Sequence, residues 1–185
     1  GLVSDYASKA WEQRYWTTGL LAVTTPVLTC LESAVGLTPE QSLWARGLTL
    51  LTSYPANPIL RYGRDRAQEK FNDGGTFLGK LKADTVTGLP LTVVLKGGLF
   101  GALYYAIGVD DPRQLSIAIG AALVGSMVFW NAAFATGDYL ENAFLGSKPK
   151  KWALGVLGAS LLLTAGAYSC NDNVEDIPVV TEETF

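Results

Sequence analysis

Residues 112–140 read PRQLSIAIGAALVGSMVFWNAAFATGDYL, and between Arg113 and Asp138 this stretch carries no charged side chain. At about 1.5 Å per residue, a helix from Leu115 to Leu140 is long enough to cross the roughly 30 Å hydrocarbon core of a bilayer. Working outward, four more stretches have comparable length and composition: Trp16 to Val35, Leu43 to Tyr62, Ala83 to Ile107, and Trp152 to Ser169. The second contains Arg46, Pro55, Asn57 and Pro58, which predicts a kinked or re-entrant segment.

Only 17% of the chain is charged against 49% hydrophobic, and the charges gather into blocks between the apolar stretches. A soluble domain would spread them along every amphipathic element. The expected fold is all-α, a polytopic transmembrane bundle of two repeated helix hairpins (residues 16–62 and 83–140, within a membrane domain of 16–145) plus a fifth helix at 146–170. An acidic tail at 171–185 follows. Residues 1–15, with Tyr6, Trp11 and Tyr15 among polar side chains, suit an interfacial segment.

Basic residues give the orientation. Lys9 and Arg14 precede the first span, Arg61, Arg64, Arg66, Lys70, Lys80 and Lys82 lie between the second and third, and Lys148, Lys150 and Lys151 precede the fifth. The opposite turns carry only Arg113, and the tail has no Lys or Arg. The N-terminus is therefore expected on the matrix or cytoplasmic side of a mitochondrial or bacterial inner membrane, and the C-terminus on the other side. No secretory signal pattern is present at the start, and residue 1 is Gly, so an initiator or a longer leader is expected to have been removed.

The repeat is read from the two basic-poor turns, Val35-Gly36-Leu37-Thr38-Pro39-Glu40-Gln41 and Ile107-Gly108-Val109-Asp110-Asp111-Pro112-Arg113-Gln114. In each, Gly ends one helix, Thr38 or Asp111 caps the next, and Pro takes its first position. Gln41 or Gln114 is then expected to complete a capping box.

Ionisable groups inside a membrane are costly and so are the first functional candidates. Glu32 and Arg46 fall at similar depth on adjacent antiparallel helices and form a candidate ion pair, either a gate or a register pin. Lys96 lies near the centre of the third span, and insertion there costs roughly 2.5–3.5 kcal/mol unless it is paired or reaches polar depth. Thr24, Thr25, Pro26, Thr52, Ser53, Ser126 and Asn131 share its depth, and Asn57 lies a turn further along. The candidate midplane site of Lys96, Thr25, Ser53, Asn57, Ser126 and Asn131 could hold the carboxylate of a small zwitterion. Alternatively, Lys96 faces a partner subunit or a lipid headgroup. Arg61, Arg64, Asp65, Asp84 and Asp138 make a candidate charge cluster at the basic side. Gly97 and Gly101 form a GxxxG packing face, and Cys30 and Cys170 both tend toward the opposite side.

Several function classes are set aside by composition. The chain has no His and two Cys, so no metal or haem site and no cofactor is expected. Net charge is −3 with no basic stripe, which gives no surface for nucleic acid. No nucleophile and base stand at a recognised spacing, so no enzyme is expected.

From Cys30 to Phe144 the chain resembles the bacterial L-alanine exporter (AlaE) family. The resemblance rests on Cys30-Leu31-Glu32, Pro39-Glu40-Gln41-Ser42 with Arg46, Tyr62-Gly63-Arg64-Asp65, Ala83-Asp84, and Gly137-Asp138-Tyr139. It implies a four-helix inner-membrane fold associated with export of small amino acids. Lys96, the fifth span and the tail have no counterpart in it. Two functions follow as expectations. The first is an accessory (scaffold) subunit of a larger membrane complex, such as a respiratory-type assembly, with other subunits and lipids as partners and the acidic tail docked on one of them. The second is a small amino-acid exporter.

Overall fold

In a computed structural model the chain is described over residues 1–72, 75–91, 94 and 97–172, with the backbone alone at 88, 89, 91, 126 and 170–172. The fold is all-α: α1 Leu2–Glu12, α2 Arg14–Ala34, α3 Pro39–Phe71, α4 Phe77–Leu91, α5 Gly97–Ala106, α6 Pro112–Leu145 and α7 Lys150–Asp172. Lys96 and the tail from residue 173 lie outside the described residues, so the expectations placed on them do as well.

The turn signals act where the sequence puts them. Gly36 and Gly108 adopt φ of 83° and 90°, a left-handed conformation that glycine reaches without strain. Their successors then bond back across the helix ends, Leu37 N–H to the Glu32 carbonyl and Val109 N–H to the Tyr104 carbonyl, each at 3.0 Å. Thr38 and Gln41 form the expected reciprocal cap, with Thr38 Oγ1 accepting from Gln41 N–H at 3.2 Å and Gln41 Oε1 accepting from Thr38 N–H at 3.0 Å. At the second turn Asp111 caps Arg113 N–H at 3.0 Å, but Gln114 does not reach back. Its amide instead donates across to the Gly36 carbonyl at 3.0 Å, which joins the two turns.

One expectation about the middle of the chain changes. The second stretch is one continuous helix through Pro55 and Pro58, neither re-entrant nor broken. Each proline removes one backbone donor, and packing against neighbouring helices holds the remainder of the ladder. Within the third stretch, the described residues are helical as α4 and α5, and most of those between Leu91 and Gly97 lie outside the described residues.

α2 is the central helix, packed along α6 and then α7, while α3 packs along α4. The tightest crossing lies between α2 and α6. A Cβ on Gly19 would sit 2.5 Å from Gly137 Cα, and one on Gly137 would sit 2.9 Å from the Trp16 carbonyl oxygen. Gly97 and Gly101 meet only the side-chain tips of Leu123 and Ile119, at 3.6 Å and 3.4 Å, so the close backbone approach lies elsewhere than the GxxxG face. It allows Trp16, 0% exposed, to seat against Leu20, Leu60, Trp130, Ala133 and Phe134. A second core of Leu28, Leu37, Phe100, Leu103, Tyr104 and Val109 fills the end at the two turns.

Lys150–Ser169 is long and apolar enough to cross a membrane, and Pro112–Gly125 with Met127–Leu145 would qualify as one span across a 47° bend. The N-terminal segment is a helix whose Leu2, Val3 and Trp11 are exposed, and Tyr6 Oη donates to the Pro55 carbonyl.

Gly19→Ala is expected to destabilise the purified protein by about 1–3 kcal/mol through overpacking, whereas Gly47→Ala, with open space at its Cβ, should be neutral or stabilising by up to ~1 kcal/mol. Thermal unfolding followed by circular dichroism measures both. Equal stability of the two variants contradicts the crossing described.

Candidate functional site

One face of α3 decides the chemistry of the interior. Ser42, Arg46, Thr49, Ser53, Asn57 and Arg64 follow one another at helical spacing, three, four or seven residues apart, so they share a stripe. All but the half-buried Ser53 are buried against the other helices. Polar groups withdrawn from water need partners, and the partners divide into a cluster at each end and a cavity between.

At the end of the two turns, Arg46 (5% exposed) pairs through Nη2 with Oε1 of Glu32 (2% exposed). Tyr104 Oη donates to the same oxygen at 2.8 Å, and Ser42 Oγ donates to Oε2 at 2.6 Å. The carboxylate is thus held by three donors from two neighbouring helices. Arg46 is less well served, since its Nε and Nη1 are buried without an acceptor among the described residues. Each such orphaned donor costs about 1–3 kcal/mol. Tyr168 on α7 also has a buried hydroxyl, near Ser42, Thr29, Arg46 and Glu32, that makes no hydrogen bond of good geometry among the described residues.

At the opposite end, Arg64 bridges two carboxylates. Nε lies 2.8 Å from Asp84 Oδ1, and Nη1 and Nη2 lie 2.7 Å and 2.9 Å from the oxygens of Asp138. Lys80 Nζ adds a second cation at 3.1 Å from Asp138, Trp16 Nε1 donates to Asp138 at 3.1 Å, and Gln68 donates to Asp84 at 2.6 Å. Two cations thus face two anions, and the fork geometry of arginine suits both. Burial works against the Arg64 charge, but the hydrogen bonds it donates to Asp138 and Asp84 and the charges of those carboxylates outweigh it and raise its pKa above the usual arginine value. Arg61 stands beside this cluster in a two-pronged bond to Glu141, at 2.5 Å and 2.9 Å.

Between the clusters lies a small cavity lined by Leu20, Leu21, Thr24, Leu28, Thr49, Ser53, Asn57, Leu99 and Phe100, with about 20 Å³ open to water. That is room for one water molecule and too little for an amino acid. The hydroxyls of Thr24 and Thr49 are spent on their own helices, donating to the Leu20 and Ala45 carbonyls at 3.0 Å and 2.7 Å. Ser53 and Asn57 make no side-chain hydrogen bond among the described residues, so they are the polar groups free to bind something in the cavity.

The candidates from sequence divide accordingly. The structure brings Glu32 to Arg46, Arg64 to Asp84 and Asp138, and Ser53 beside Asn57. Thr25 and Asn131 do not line the cavity, because Thr24 is the threonine of that pair on the inward face and Asn131 projects from another part of α6. The Ser126 side chain is outside the described atoms. Asp65 is 63% exposed and only 4.0 Å from Arg61, so it stands outside the buried cluster. Partial burial raises its carboxyl above the usual range more than Arg61 and Arg64 lower it. Arg66, the next basic residue of the same block, pairs with Glu69 at 3.5 Å on the surface. Cys30 is exposed and free. Tyr104, Trp16, Thr49 and Tyr168 were missed. Tyr104 was findable, for it precedes Gly108 by four residues as Glu32 precedes Gly36, and matching places in the two turns come together.

Comparison of the chain with known protein families, with curated proteins and with solved structures finds no match in any of the three. Function is therefore argued from this geometry.

Removing one member of the buried pair leaves the other uncompensated, so Glu32→Gln is expected to destabilise by about 3–5 kcal/mol, and adding Arg46→Met should recover most of that loss. Chemical denaturation of the single and double variants tests it. Additive losses would show that the two side chains do not act as a pair.

Proposed function

We propose that the chain is a polytopic membrane carrier for small amino acids of alanine size, in which the polar face of α3 is the path and the two charged clusters are its closures. The observation that carries this reading is the pair of unbonded side chains, Ser53 and Asn57, beside a water-sized cavity midway between two buried ion-pair clusters. A helix bundle built only as a scaffold gains little from such groups, since buried ion pairs are on balance no more stabilising than apolar packing.

Five spans with the basic end on the matrix or cytoplasmic side fit this use. Leu43, Leu51, Ile117, Val124, Leu161 and Leu162 are large apolar side chains exposed on outward faces, which a bilayer would cover. The two hairpins also fit a repeat about an axis along the membrane normal. Gln114 donates to the Gly36 carbonyl, Gln41 donates to the Gly108 carbonyl at 3.5 Å, and Glu32 meets Tyr104. In such a carrier the closed arrangement opens at one end at a time. Parting Arg46 from Glu32 opens the end at the turns, and parting Arg64 from Asp84 and Asp138 opens the basic end. The resemblance to alanine exporters, which covers the same residues, points to the same class of solute.

A second reading, an accessory subunit of a larger membrane assembly, is favoured by α7. Its Trp152, Leu154, Leu161, Leu162 and Leu163 form an exposed apolar face that other subunits could cover. One experiment separates the two. With alanine-loaded proteoliposomes, Asn57→Leu should lower L-alanine efflux about tenfold, the equivalent of one hydrogen bond to the solute, while leaving the protein folded. Efflux no faster than in empty liposomes, from a chain that purifies in a large stoichiometric complex, would make it the subunit.

A further inference from the structure

The end at the two turns contains donors that the ion pair does not use. Arg46 is buried, Glu32 occupies one of its three nitrogens, and Nε and Nη1 have no acceptor among the described residues. The Tyr168 hydroxyl, also buried, approaches the same group from α7 beside Ser42 and Thr29, without a hydrogen bond of good geometry among the described residues. The orphaned donors around one guanidinium leave hydrogen-bonding capacity for one more acceptor, and a carboxylate is the acceptor whose two oxygens best match the fork of an arginine.

The approach to this place is visible. Tyr168 is also part of the lining of an open pocket of about 310 Å³ formed with Pro39, Glu40 and Leu43 at the start of α3. Tyr168 therefore adjoins both the pocket and the group around Arg46. Glu40, exposed at the rim, supplies the opposite charge. An anion alone would be repelled there, whereas a zwitterion would place its ammonium at Glu40 and its carboxylate inward.

We infer that Arg46 and Tyr168 form a carboxylate-binding subsite at the mouth of the path, where the α-carboxylate of a small amino acid takes the free donors of the guanidinium and the tyrosine hydroxyl. Its physiological use rests on the carrier reading, but its chemistry does not. The subsite also gives α7 a role in the path. The helix that lies beyond the family resemblance supplies one of its two ligands, so it is more than a packing addition to α2.

The test uses the full chain in mixed micelles and reads the rise in unfolding temperature on adding sodium propionate, with propanamide and sodium chloride as controls at matched ionic strength. Propionate should stabilise saturably and the controls should not. Tyr168→Phe, which keeps the ring, and Arg46→Lys, which keeps the charge, should each weaken the propionate response about tenfold. A chloride effect equal to that of propionate, or an unchanged response in Tyr168→Phe, overturns the subsite. Alanine efflux from the same preparation keeps the two proposals apart. Propionate binding without efflux removes the carrier and retains the subsite, and efflux without discrimination between propionate and propanamide does the reverse.

Discussion

The buried polar face of α3 is the constraint from which the remaining arrangement follows. A helix that turns Ser42, Arg46, Thr49, Asn57 and Arg64 away from water must find a partner for each, and a low-dielectric interior makes failure expensive. Glu32 and Tyr104 answer Arg46 and Ser42 from α2 and α5, and Asp84 and Asp138 answer Arg64 from α4 and α6. Each of those helices is thereby fixed in rotation and height against α3. The ion pairs contribute less to net stability than to choosing one packing among many that apolar surfaces alone would permit.

Small residues make that packing reachable. Asp138 bonds Arg64 and Trp16 together only because α6 comes close to α2, and the bare backbones of Gly19 and Gly137 permit the approach. Trp16 then closes the basic end as a buried ring stacked 5.5 Å from Phe134, with its indole N–H on the same carboxylate. The opposite end is closed by apolar side chains, Leu37 and Val109, drawn inward by the glycines before them. Closure at both ends and free amide and hydroxyl groups midway are the physical content of the carrier reading.

Much of this was legible in the sequence because it rests on strong local signals. The glycine, cap and proline order of the two turns fixed the helix ends, and the placement of charges pointed to Glu32 with Arg46 and to a cluster of Arg61, Arg64, Asp65, Asp84 and Asp138, from which only the structure picks Arg64 as the bridge between the two buried aspartates. What escaped was either non-local or a matter of rotation. Gln114 carries the letters of a capping box, but the neighbouring turn offered its amide a better acceptor. Thr24 and Thr25 have the same composition and depth, and only the packing of α2 decides which faces inward. Pro55 and Pro58 read as a kinked or re-entrant segment, yet α3 continues through them as one helix because its neighbours hold it. Tyr168 could not be placed from sequence at all, since nothing in a single chain says which face of α7 meets α2.

Water and solute must reach Ser53 if the polar face is a path, and that is the most direct test. With Cys30 and Cys170 replaced by Ser, the chain carrying Ser53→Cys is inserted into vesicles in one orientation and exposed to a small charged thiol reagent. The account predicts labelling of Ser53→Cys that slows with saturating L-alanine, and none for Leu51→Cys on the exposed apolar face of the same helix. Labelling of neither position, or equal labelling that alanine leaves unchanged, would contradict it.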